Sequence, residues 1–191
     1  MEDAEVAVSL GVEALGVVFQ PNSPRNVNPD SAIILWIREQ SGFRRTAVMG
    51  TCAGRTIPSG FDAVQAVDVL QWHGNEERWL SFRPGSAGWS PTNSEVDGLL
   101  VDSYHPEQFG GTGHRVALSE WESVRHQWDR EIWLAGGLTP ENVAAAIEVF
   151  RPDGVDVASG IESAPGIKDH VKMRDFVQAV REASQNVSYR E

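Results

Sequence analysis

Two glycine-bearing bends carry the clearest chemistry in this chain. Ala135-Gly136-Gly137-Leu138 ends the apolar run Ile132–Ala135 and leads into Thr139-Pro140-Glu141; Ala158-Ser159-Gly160-Ile161 ends the next run, Gly154–Ala158. Glycine lets a ligand approach the backbone N–H groups closely, and helix N-termini favour anions, so consecutive bends of this kind suit a phosphate. Tight turns alone would read the same way. Asp102 follows Gly98-Leu99-Leu100-Val101 directly. A carboxyl at the end of a buried strand can serve as a general acid if partial burial raises its pKa, although a helix cap or loop acid would look identical. Ser23-Pro24-Arg25, just after Ala14–Phe19, brings a guanidinium that can grip a carboxylate or phosphate bidentately or else face water. Gly110-Gly111-Thr112-Gly113 offers open amides but lacks the Lys-Ser/Thr ending of a nucleotide-triphosphate loop.

The other reactive residue types are sparse. His73, His105, His114, His126 and His170 show no metal-ligand spacing. His73, within Gln71-Trp72-His73-Gly74, can touch a ligand or fill a structural place. Cys52 is the single cysteine, which excludes an internal disulfide and any multi-cysteine metal site. A lone cysteine at a strand end is either a small buried hydrophobe or a reactive thiolate. The tryptophans read as core or interface mass.

These groups need a scaffold, and the chain supplies an alternating one. Apolar runs at Ala14–Phe19, Thr46–Cys52, Val67–Gln71, Gly98–Val101, Ile132–Ala135 and Gly154–Ala158 read as strands buried on both faces, and Trp79–Phe82 can add another. Helical spacing appears in Glu2–Leu10, at Ile33, Ile34 and Ile37 after Pro29-Asp30, and at Trp121, Val124 and Trp128. It appears again at Val143, Ile147 and Phe150, with Thr139 as N-cap and Pro140 at the first position, and at Met173, Phe176, Val177 and Val180. Strand-then-helix repetition implies parallel strands joined by right-handed crossovers, an α/β sheet or barrel. In an eight-fold βα barrel the last two strand-end loops are the usual phosphate cradle. With 191 residues, 41% apolar and 23% charged, the chain reads as one globular domain over 1–184 with a polar tail at 185–191. Its 16 basic and 27 acidic residues give a net charge of −11, so nucleic acid is a poor partner. No apolar run reaches the ~20 residues of a membrane span, and no secretion signal is visible, so a cytoplasmic setting is expected.

Taken together, these motifs resemble phosphoribosylanthranilate isomerase, a (β/α)8 TIM-barrel family of tryptophan biosynthesis. The resemblance runs in order through Glu2-Asp3-Ala4, Gly16–Phe19, Pro21–Arg25, Gln71–Gly74, Leu100–Asp102 and Gly110–Gly113. It continues through Gly136–Val143, Val155–Glu162 and Pro165–Asp169, and is close over 2–27 and 97–182. It implies an Amadori rearrangement of N-(5-phosphoribosyl)anthranilate with no cofactor or metal, on a small-molecule substrate. By resemblance Asp102 is the general acid that protonates the ribose ring oxygen, and Arg25 faces the anthranilate end. Gly136, Gly137, Ser159 and Gly160 fall on the phosphate loops, and Gln71, His73, Gly111 and Asp156 among substrate-binding positions.

Three departures stand out. The family's general-base cysteine lies on a first strand that precedes the Glu-Asp-Ala helix, and this sequence begins at Met1, after that point. The barrel is therefore expected to be incomplete, with the first strand absent and the unit between Gly74 and Gly98 compressed. Val116-Ala117-Leu118 also stands where the family carries Phe-Asp-Trp. Cys52 becomes the candidate substitute base, and an in-frame Lys-Ile-Cys-Gly-like stretch is expected upstream of Met1. Loss of one strand exposes two barrel edges, through which copies could pair. A non-catalytic phosphosugar-binding relic or assembly partner is the alternative to an isomerase, impaired or not. Histidine-pathway isomerisation is a further one, which the Pro165–Asp169 ending disfavours.

Overall fold

The computed structural model describes residues 1–82, 95–102 and 118–188. Helix α1 (Glu2–Ser9) opens the chain and buries Ala4 and Ala7, and strand β1 (Ala14–Val18) follows. Helix α2 (Ala32–Glu39) buries Ile34 and Ile37 and leads to β2 (Arg44–Val48). Then come β3 (Ala63–Ala66), β4 (Glu77–Phe82), β5 (Gly98–Asp102), α3 (Leu118–Gln127) and β6 (Glu131–Ala135). Helix α4 (Val143–Phe150), β7 (Gly154–Val155), a short hairpin of β8 (Glu162–Ala164) and β9 (Ile167–Lys168), and α5 (His170–Ser188) complete the chain.

Strands β1 to β7 form one sheet in sequence order, and every neighbouring pair is parallel. This is the wall of an incomplete (β/α)8 barrel. The strands are short and apolar because both of their faces are covered: Ala47, Ala63, Val64, Leu99, Val101 and Ile132 have no measurable exposure.

Sequence and structure part at the third strand and at the start of α4. The third strand is Ala63–Ala66, not Val67–Gln71, which forms a 3-10 turn at Val69–Gln71. The cause is Asp68: its carboxylate accepts the N–H groups of Cys52 and Ala53, which turns the chain out of the sheet. Helix α4 begins at Val143 with Asn142 as cap, because Thr139–Asn142 is a turn of its own. The Thr139 N–H donates to Asn142 Oδ1, and Asn142 Nδ2 donates to the Gly137 carbonyl. Helix α5 runs to Ser188. Trp79–Phe82 does lie in a strand, β4.

The lower mouth of the barrel is plugged from alternate strands, as barrel layers are built. Arg44 of β2 lies over the rings of Trp79 (β4) and Trp133 (β6), 4.7 and 5.6 Å from their centroids, and pairs with Glu77 and Glu131. Each tryptophan lies across a glycine of the next strand, Gly98 and Gly154, in register.

Between β1 and β7, the two ends of the sheet, closure comes from side chains and helices. Arg25 Nε and Nη2 donate to Glu162 at 2.7 and 2.6 Å across 137 residues of sequence. A Cβ on Gly166 would stand 2.5 Å from the Pro24 carbonyl oxygen, so the hairpin packs directly on the loop after β1. Outside the wall, α1 and α5 are joined by Asp3–His170 at 2.8 Å and by Arg181, which donates to the Leu10 carbonyl.

Candidate functional site

Strand register builds the upper mouth. Asp102 of β5 stands opposite Ala135 of β6, and Leu134 stands opposite Val155 of β7. The Asp156 N–H donates to the Leu134 carbonyl at 2.9 Å, continuing that ladder by one residue. Asp102, Ala135 and Asp156 thus occupy one level at the C-terminal ends of three adjacent strands. Residues opposite one another in a parallel sheet point to the same face, so the two carboxyls share a surface. Burial raises the pKa of Asp156; the charge of Lys168 opposes the rise and that of Asp102 adds to it. A carboxyl in this position keeps its proton to higher pH than a solvated one.

Immediately above that level lie the two glycine bends. Gly136 and Gly137 both have positive φ, +90° and +61°, a conformation that side chains resist. Gly160 sits in the 3-10 turn Ser159–Ile161 after β7, against the first bend: a Cβ there would overlap the Leu138 carbonyl oxygen. The two bends are therefore in backbone contact, and Asn142 braces the first from beneath.

Positive charge gathers beside them despite the net charge of −11. Lys168 Nζ donates to the Ala158 carbonyl at 2.7 Å and to Glu162 Oε1 at 3.1 Å. Lys172 Nζ donates to the Glu162 carbonyl. Burial opposes ionisation of Glu162, but the Arg25 bonds and Lys168 outweigh it and hold its pKa below the usual carboxylate range. Arg25 is in turn held more firmly protonated, chiefly by its bonds to Glu162. Sequence reasoning gave no role to Glu162 or Lys168. Both lie inside the motifs read above, but Glu162 takes its setting from Arg25, 137 residues away, and Lys168 takes its own from Glu162.

Cys52 has surroundings unlike those of a reactive thiol. It is 1% exposed, and its Sγ donates to the Asp68 carbonyl at 3.2 Å. Burial, with help from Asp68, pushes its pKa from 9.0 up to about 11. It stays a thiol at neutral pH. Gln71 and His73 are exposed on either side of buried Trp72, whose indole N–H donates to Glu76. Gly111, with the rest of Gly110–Gly113, lies outside the described residues, as do His105 and His114. Among the described residues no cluster of three or more His, Cys, Asp or Glu could hold a metal ion, and no helix is long and apolar enough to cross a membrane.

The family model for N-(5'phosphoribosyl)anthranilate (PRA) isomerase matches residues 1–179. The chain is 35% identical to N-(5'-phosphoribosyl)anthranilate isomerase of Pelobacter propionicus, covering 95% of this chain and 91% of that one. It is 38% identical to that of Pseudomonas fluorescens, covering 96% and 92%. Among solved structures it is similar to TrpF from Jonesia denitrificans, with a TM-score of 0.74 and 30% identity over 96% of this chain and 93% of that one. A phosphoribosyl anthranilate isomerase in complex with reduced 1-(o-carboxyphenylamino)-1-deoxyribulose 5-phosphate gives 0.71 and 25% over 95% and 93%.

Two outcomes follow from the site's geometry. If the bends hold phosphate, inorganic phosphate should raise the Tm of the wild-type protein, and Gly160→Ala, which forces the bends apart, should abolish that rise. At tenfold Kd that rise corresponds to about 1.4 kcal/mol, and an equal rise in the variant would show that the bends do not hold the anion. Asp156 has a folded pKa above its unfolded value, so its ionisation weakens the fold as pH rises from the ordinary carboxylate range through the folded pKa. Asp156→Asn removes that loss and should raise Tm more at pH 8 than at pH 4, in thermal unfolding across the range; an equal change at both would contradict the assignment.

Proposed function

The chain belongs to the N-(5'-phosphoribosyl)anthranilate isomerase family, and on that premise we propose that it carries out the Amadori rearrangement of N-(5-phosphoribosyl)anthranilate to 1-(2-carboxyphenylamino)-1-deoxyribulose 5-phosphate, in the cytoplasm. The observation that carries the reading is the backbone contact of Gly160 with Leu138, which makes one anion cradle of two bends beside the Asp102–Asp156 level.

The phosphate sits on the N–H groups of Gly136, Gly137, Ser159 and Gly160, where partial positive charge needs no side chain. Its binding free energy fixes the ribose so that the ring oxygen meets Asp102, as remote binding is used to position a reacting centre. Asp102 gives its proton to that oxygen as the C1–O bond breaks, leaving a Schiff base. Loss of the C2 proton forms the enolamine, which tautomerises to the ketone. Asp156 holds a sugar hydroxyl; Arg25 meets the anthranilate carboxylate, with Gln71, His73 and Gly111 around the substrate.

Cys52 is not the base in this scheme. Its thiol is buried, bonded to a carbonyl and held in the neutral form. In the family the base comes from a strand ahead of the Glu-Asp-Ala helix; a segment joined before Met1 would enter parallel to β1 and β7, between them, by the usual right-handed crossover. The buried state of Cys52 also favours a second reading, a phosphosugar-binding protein without turnover. A homo-oligomer paired through the outer edges of β1 and β7 belongs to the same proposal.

Purified protein, assayed by the loss of phosphoribosylanthranilate fluorescence, separates these readings. Asp102→Asn should lower kcat/KM by about 10²–10⁴-fold while the reduced product analogue binds within a few-fold of wild type. Cys52→Ser should leave turnover unchanged. Analogue binding without any turnover would move the chain to the second reading, and failure to bind would exclude both.

A further inference from the structure

Glu162, directly after the turn Ser159–Ile161, is a carboxylate with only 4% of its side chain exposed. A buried carboxylate persists only when its lone pairs are met, and here they are: Arg25 takes both oxygens, and Lys168 shares one. The manner of the Arg25 contact is informative. Glu162 occupies Nε and one proton of Nη2, the side edge of the guanidinium. The planar fork is rigid, so this grip turns the outer edge, Nη1 with the second Nη2 proton, away from Glu162. Two cations against one carboxylate leave the trio with one net positive charge, so a further anion is attracted to it and not repelled. The phosphate is met by backbone at the bends after β6 and β7, whereas Arg25 enters from the loop after β1, across the seam. The anion suited to its outer edge is a second, planar one.

We propose that Glu162 is a positioning residue that fixes Arg25 side-on so that its outer edge receives the aromatic carboxylate of the substrate. This rests on the isomerase reading and on Arg25 as the carboxylate's partner. Glu162 contributes to discrimination through Arg25 and makes no contact with substrate of its own. Held in one orientation, the guanidinium loses little freedom on binding, which is how preorganisation strengthens recognition.

The test is a ratio of affinities measured by calorimetry on the full chain. The two probes are reduced 1-(o-carboxyphenylamino)-1-deoxyribulose 5-phosphate and the same compound without its carboxyl group. Wild type should prefer the carboxylated probe by tenfold or more. Glu162→Gln should lower that preference at least fivefold while binding of the decarboxylated probe stays within twofold. In an Arg25→Ala background the same change should leave the ratio unaltered. If Glu162→Gln does not fold by circular dichroism, Glu162→Asp, which keeps the charge but withdraws it by one methylene, must show the loss. An unchanged ratio, or an equal weakening of both probes as a purely structural role would give, overturns the proposal and leaves the isomerase reading intact. Wild-type protein that binds neither probe overturns both.

Discussion

The functional end of this molecule depends on one close approach of backbone to backbone. Gly160 lies against the Leu138 carbonyl, and any side chain there would occupy the same space. That contact turns two separate strand-end turns into a single surface. It is possible because β6 and β7 are parallel neighbours and because Gly136 and Gly137 accept left-handed backbone that other residues resist. The same register places Asp102 and Asp156 one level below, so the two bends and the two carboxyls are set by the same ladder of hydrogen bonds.

A barrel wall of seven strands leaves a seam, and side chains and helices from both ends of the chain close it. On the outside, α1 and α5 cover it through Asp3–His170 and Arg181. At the upper mouth, Arg25–Glu162 and the packing of Gly166 on Pro24 cross it. At the lower mouth, Arg44 with Trp79, Trp133 and two glutamates fills the interior. In a chain of net charge −11 the two arginines differ in how their charge is met. One is neutralised in the plug. The other, with Lys168, outnumbers the single acid it clasps.

Much of this was legible in the sequence, for physical reasons that vary by element. The strands at Ala14, Gly98 and Ile132 stand out because doubly buried strands are near-continuous apolar runs. The bends were visible as glycines after such runs. The third strand was misplaced because Val67–Gln71 is as apolar as Ala63–Ala66; what separates them is Asp68 capping the amides of Cys52 and Ala53, a tertiary event. Thr139 and Asn142 are both good caps, and the choice of Asn142 depends on its reach to the Gly137 carbonyl. The Arg25–Glu162 pair was invisible because its two partners lie 137 positions apart. A sequence places Cys52 at a strand end, but its burial and its bond to the Asp68 carbonyl depend on the fold.

Whether the fused bends hold the phosphate while Asp102 faces the ribose is decided most directly by a crystal structure with the reduced product analogue bound. The account predicts phosphate oxygens within hydrogen-bond distance of the Gly137 and Gly160 N–H groups, with the Asp102 carboxyl on the sugar side of the ligand. Phosphate seated elsewhere, with the bends unoccupied or Asp102 turned from the ligand, would contradict it.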